Sequence, residues 1–86
     1  MITREDIYEK TVKIIRDNVP DMFGTELGED TVLNAENNVD SMGFILVVTK
    51  LEGEFNVRIP DREWDKIRTL GDLVDAVYKY LPKDNE

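Results

Sequence analysis

Residues 37–55 read NNVDSMGFILVVTKLEGEF, and whether they form a strand or a helix decides the fold. The run GFILVV contains β-branched residues and invites a strand assignment. A half-buried strand alternates apolar and polar residues, and that alternation is absent here. The run also passes directly into TKLEGEF. The stretch is therefore expected to be a largely buried helix of about 12 to 14 residues. Asp40 is its expected N-cap, with a carboxylate able to accept an early backbone N–H. Its apolar face would use Met42, Ile45, Leu46, Thr49 and Phe55, widened by Val48 and Leu51. Gly53 weakens its end.

The flanks predict further helices. Thr3 and Asp6 have the spacing of a capping box, with Asp in place of Glu. Ile7, Thr11, Ile14 and Ile15 then share one stripe, with Tyr8 and Val12 beside it. This first helix should reach Asn18 before Pro20 ends it. The connection from Val19 to Val39 is long for a compact domain, so it must be pinned or functional. Phe23, Leu27, Val32 and Leu33 are its expected anchors. After the central helix, Asp61 is expected to cap a short helical turn over 62–67, with Trp64 as a lid on the core. Thr69 and Asp72 repeat the capping-box spacing. Leu70, Leu73, Val74, Val77 and Leu81 follow a 3.6-residue period. The expected fold is all-α: a small four-helix bundle of three main helices and one short one, forming a single domain over residues 1–86.

Composition narrows the chemistry. The 86 residues include no cysteine and no histidine, so a thiolate nucleophile, an imidazole base and an ordinary zinc site are excluded. The formal charge of −8 disfavours nucleic acid and anionic membranes and favours basic protein partners. Residues 21–40 contain Asp21, Glu26, Glu29, Asp30, Glu36 and Asp40 and no base, so the acidic excess precedes the central helix. The charged start MITREDIYEK does not resemble a signal peptide, and the apolar run MGFILVV is too short to span a bilayer. A soluble, cytoplasmic monomer is expected.

Ser41 stands at the junction of the acidic segment and the apolar helix. As a catalytic nucleophile it would need an adjacent base. Lys50 lies roughly 13.5 Å along the helix axis, and no G-x-S-x-G elbow is present. A calcium loop beginning at Asp30 would place Val32, Ala35 and Ser41 at positions that require a ligand, a glycine and a glutamate. No metal site is expected. Two readings of Ser41 remain: a second capping hydroxyl, or a hydroxyl beside helix N-terminal donors that favour a phosphate.

Asp40-Ser41-Met42, together with LEGEFNVRIPD over residues 51–61 and TLGDLVDAVYKYL over residues 69–81, resembles the acyl carrier protein family, including peptidyl and D-alanyl carriers. The middle segment is similar to the family pattern L-E-x-E-F-x-x-x-I-P-D/E at Leu51, Glu52, Glu54, Phe55, Ile59, Pro60 and Asp61. The resemblance implies that Ser41 receives 4′-phosphopantetheine from coenzyme A through a separate Mg²⁺-dependent phosphopantetheinyl transferase. The arm would carry acyl or aminoacyl groups as thioesters between a loading ligase or acyltransferase and downstream synthase enzymes. The chain itself would be a carrier with no catalytic residue. Asp40 and Met42 would flank the attachment point, and Glu36, Asp40, Met42 and Ile45 would contribute to docking. Ile45, Leu46, Ile59, Val74 and Val77 would line an apolar space for the cargo.

Two departures bear on cargo and partners. Fatty-acid carriers usually read L-G-x-D-S-L, whereas this chain has Asn37-Asn38-Val39-Asp40-Ser41-Met42. Its central helix also carries no acid before Glu52. A specialised carrier for polyketide, non-ribosomal peptide or surface-polymer chemistry fits these departures. The alternative is an unmodified acidic helical interaction module.

Overall fold

The computed structural model describes residues 2–18, 27–33 and 41–81, with Ser41 and Met42 described by their backbone alone. The described chain forms α1 (Arg4–Asn18), α2 (Ser41–Phe55), α3 (Asp61–Trp64) and α4 (Leu70–Lys79). α1 packs against both α2 and α4, and α2 also touches α4. The all-α expectation holds. Among the described residues, the β-pairing is an isolated antiparallel bridge between Val32 and Thr69.

Both capping boxes form. At α1, Asp6 N–H donates to Thr3 Oγ1 at 3.1 Å, and Thr3 N–H donates to Asp6 Oδ2 at 2.9 Å. At α4, Asp72 N–H donates to Thr69 Oγ1 at 3.1 Å, and Thr69 N–H donates to Asp72 Oδ2 at 3.2 Å. Each box satisfies donors that a helix start leaves without intrahelical partners. The α1 stripe of Ile7, Thr11, Ile14 and Ile15 is buried as its spacing predicts. Thr11 meets the cost of a buried hydroxyl by donating to Ile7 O at 2.7 Å. From α4, Leu70, Leu73, Val74 and Val77 enter the same core. Leu33 is buried and Leu27 packs at the core edge, where Tyr8 Oη donates to Leu27 O at 3.3 Å. Phe23 lies outside the described residues.

The apolar face of α2 differs from the expected one. Val47, Val48 and Leu51 are buried, flanked by the partly buried Phe44 and Phe55. Ile45, Leu46 and Thr49 face solvent instead. The buried set follows the i, i+3, i+4, i+7 rule. Because residues 42–48 are apolar at all but Gly43, the sequence gives little contrast between one stripe and its neighbour. Contact with α1 and α4 selects the face. α2 also runs for 15 residues, slightly longer than expected, with Gly53 in its last turn.

Asp61 does not cap α3. It is the first helical residue, Pro60 occupies the cap position at φ −59° and ψ 145°, and no side chain caps the turn. The proline ring fixes an extended entry that needs no donor of its own. Pro60 O then accepts from Glu63 N–H at 2.9 Å. Trp64 packs over the core edge as a lid, meeting Phe44 edge to face with ring centroids 6.1 Å apart.

No helix among the described residues is long and apolar enough to cross a membrane.

Candidate functional site

Ser41 is the first residue of α2 and the only serine in the chain. That uniqueness is a sequence signal that helix-start reasoning overlooked. The helix it opens is 15 residues long and has no acidic side chain in its first turn. Its backbone N–H groups and positive dipole end are therefore not neutralised from within that turn, a setting that suits a phosphodiester. Asp40 and Glu36 lie outside the described residues, and the Met42 side chain is likewise not described.

Ile45 comes four residues after Ser41, one turn along the same side of the helix. It is 47% exposed, and neighbouring Leu46 is 40% exposed. The five residues expected to line one acyl space are thus divided. Ile59, Val74 and Val77 belong to the packed core, whereas Ile45 and Leu46 point to solvent. The division follows from the facing of α2, which turns Val47 and Val48 inward in place of Ile45 and Leu46.

The LEGEFNVRIPD segment builds the turn after α2. Leu51 is fully buried. Asn56 adopts φ 54°, and Val57 N–H reaches back to Glu52 O at 3.0 Å. This six-to-one bond with a left-handed residue beneath it is a Schellman ending, here with Asn in the position usually held by Gly. Glu52 Oε2 accepts from Ile59 N–H at 2.7 Å, while Trp64 Nε1–H donates to Ile59 O at 3.0 Å. Ile59 is thereby held at both backbone groups while its side chain is buried. Glu54 pairs with Lys10 of α1 at 3.1 Å. Six of the seven matching residues have scaffolding roles: Leu51, Phe55 and Ile59 in or against the core, Glu52 and Pro60 at the turn into α3, and Glu54 in the pair with α1.

A second junction fixes residues 29–33, which lie between α1 and α2. Arg4 Nη1 and Nη2 donate to the two carboxylate oxygens of Glu29, each at 2.6 Å. Arg4 Nε donates to Asp75 Oδ1 at 2.6 Å. The fork geometry of guanidinium suits such a bidentate pair. Hydrogen bonding from Arg4 holds the Glu29 carboxyl below its ordinary pKa. Bonds from Glu29 and then Asp75 raise Arg4 further above its already high value. Backbone bonds continue the junction: Gly71 N–H to Glu29 O at 2.9 Å, Leu70 N–H to Thr31 O at 2.8 Å and Leu33 N–H to Arg68 O at 2.8 Å. Residues 29–33 are therefore tied to the start of α4.

Among the described residues, no three His, Cys, Asp or Glu side chains group to hold a metal. The arrangement presents a helix-start serine position on a scaffold tied at two junctions.

Known proteins share this architecture. Residues 14–77 match the family model described as "Phosphopantetheine attachment site". The chain is 31% identical over 81 residues to the acyl carrier protein of Thermotoga maritima, covering 94% of this chain and 99% of that one. The crystal structure of a Thermotoga maritima acyl carrier protein superposes with a TM-score of 0.74 at 32% identity, covering 90% of this chain and 88% of that one. The mitochondrial acyl carrier protein of Saccharomyces cerevisiae is 23% identical over 79 residues, or 88% of this chain, and the match spans 63% of that longer protein. The chain belongs to the family of phosphopantetheine-bearing acyl carrier proteins.

Proposed function

We propose that Ser41 bears the phosphopantetheine of this carrier. The observation that supports this reading is that the chain's only serine is also the first residue of α2. Ser41 supplies the nucleophilic oxygen, and α2 supplies N–H donors and a positive dipole end beside the resulting phosphate. When bound, 4′-phosphopantetheine provides the terminal thiol that a chain without cysteine lacks. The polypeptide contributes position: a helix start below an exposed apolar turn, with residues 29–33 upstream tied to α4. No base on this chain is needed, because a phosphopantetheinyl transferase activates the hydroxyl in trans. An acyl or aminoacyl loading enzyme and downstream synthase enzymes then work on the carried group. The departures at Asn37, Asn38, Val39 and Met42, together with the acid-free start of α2, favour service in a specialised pathway over primary fatty-acid synthesis.

Intact-mass measurement after incubation with coenzyme A, Mg²⁺ and a broad-specificity transferase tests the assignment. A single phosphopantetheine increment, lost in Ser41→Ala, is expected. An increment that persists in Ser41→Ala would place the arm elsewhere. No increment with an active transferase would favour an unmodified helical interaction module.

A further inference from the structure

The solvent face of α2 has an unexpected chemical character for a chain of charge −8. Among its described side chains, the exposed positions are 45, 46, 49, 50, 53 and 54. The only acids on the helix are Glu52 and Glu54, and both are engaged within the chain. Glu52 Oε2 accepts from Ile59 N–H at 2.7 Å, and Glu54 Oε1 lies 3.1 Å from Lys10 Nζ. Among its described side chains, α2 therefore offers outward Ile45 and Leu46, followed one turn later by Thr49 and Lys50.

The charge near Lys50 is positive. Lys10, Lys13 and Lys50 border a cleft of about 370 Å³ between α1 and α2, which also holds the carboxylates of Asp17 and Glu54. Asp17 pairs with Lys13 at 3.6 Å and Glu54 with Lys10 at 3.1 Å. Lys50 has no ion pair among the described residues. Leu46 and Lys50 are four residues apart, so they stack on one side of the helix about 6 Å apart along its axis.

We infer that enzymes acting on this carrier dock on α2 through an apolar depression that receives Ile45 and Leu46 and a carboxylate that meets Lys50. This rests on the assignment of Ser41 as the attachment residue, because Ile45 lies one turn above it. The complementarity is opposite in sign to that suggested by the chain's net charge: the partner surface is apolar and acidic at this contact. Apolar burial is insensitive to ionic screening, so docking depends weakly on salt. A partner with a basic docking surface would instead meet Lys50 with like charge and find no free carboxylate on the helix.

The test uses the full chain, a broad-specificity phosphopantetheinyl transferase as the docking probe, and steady-state kinetics with the carrier as varied substrate. Ile45→Glu and Leu46→Glu should each raise KM by about tenfold or more with kcat retained, since each would bury an unpaired charge. Lys50→Glu should raise KM by several-fold, roughly the loss of one close charge pair. Raising NaCl from about 0.05 to 0.5 M should change the wild-type KM by less than about threefold. Circular dichroism checks that each variant keeps its helices, as substitutions at exposed positions should.

An unchanged KM in both glutamate variants, a fall in KM for Lys50→Glu, or a steep salt dependence would overturn the inference. The parent assignment is read separately. A wild-type chain that takes up no arm, or a Ser41→Ala chain that still does, sinks both. Loading confined to Ser41 with KM indifferent to residues 45, 46 and 50 sinks the docking inference alone.

Discussion

Gly71→Ala sets two opposing effects against each other at the junction of α4 with residues 29–33. Gly71 is the second residue of α4, and helix propensity alone favours alanine there by about 1 kcal/mol. A Cβ at Gly71, however, would lie 2.7 Å from Glu29 Oε1 and 3.0 Å from Glu29 O. A free glutamate would rotate away, but both of its oxygens are held by Arg4 at 2.6 Å. The backbone carbonyl has less room still, because it accepts from Gly71 N–H at 2.9 Å. Overpacking of this kind costs about 1–3 kcal/mol, and weakening the backbone bond costs up to about 1 kcal/mol more. After the propensity gain is subtracted, the net is a destabilisation of up to about 3 kcal/mol, centred on about 1.5 kcal/mol. For a domain of this size, that lowers Tm by roughly 5–10 °C. Thermal melts followed by far-UV circular dichroism, with urea titration alongside, measure it. In a Glu29→Ala background, the side-chain clash disappears while the carbonyl contact remains, so the penalty should shrink without vanishing. A rise in Tm for Gly71→Ala, as at an open helix position, would refute the close approach described here.

Three further outcomes follow from other contacts. Asn56→Gly should stabilise the chain by roughly 0.5–1 kcal/mol in denaturant titration, because φ 54° is costly for a residue with a Cβ and free for glycine. Glu52→Ala should cost about 1–3 kcal/mol in the same assay by leaving the part-buried Ile59 N–H without the acceptor it now meets at 2.7 Å. Glu29 and Asp6 both have carboxyls held below their ordinary pKa, by Arg4 and by Thr3 respectively. Their folded pKa values lie below the unfolded ones, so their stabilisation is present above about pH 4 and is lost as pH falls through the folded values. Arg4→Met should therefore flatten the acid limb of a Tm-against-pH profile, leaving the smaller slope due to Asp6 and other groups.

The parts of the fold that were legible in the sequence are those fixed by near neighbours. Thr3 with Asp6 and Thr69 with Asp72 meet their partners three residues away, so spacing alone exposed both helix starts. The stripes of α1 and α4 were legible because polar residues separate the apolar ones. α2 was legible as a helix but not in its facing: with Phe44 through Val48 all apolar, periodicity gives almost no contrast. The pairing of Arg4 with Glu29 and Asp75 spans 25 and 71 residues, and no local pattern marks it. At the candidate site, the helix start at Ser41 was visible, whereas the engagement of Glu52 and Glu54 was not. Glu52 and Glu54 carry no local mark of the partners that hold them, Ile59 N–H and Lys10.

The junction around Glu29 also sets an order of assembly. Residues 29–33 take their backbone partners from residues 68–71, and Arg4 takes one of its two carboxylates from Asp75. A chain still emerging from the ribosome can contain all of α1 and α2 and yet lack every one of these contacts until α4 follows. Residues 29–33 are consequently among the last of the described residues to be secured during synthesis. A nascent carrier ties down this part of the connection between α1 and α2 only when α4 arrives.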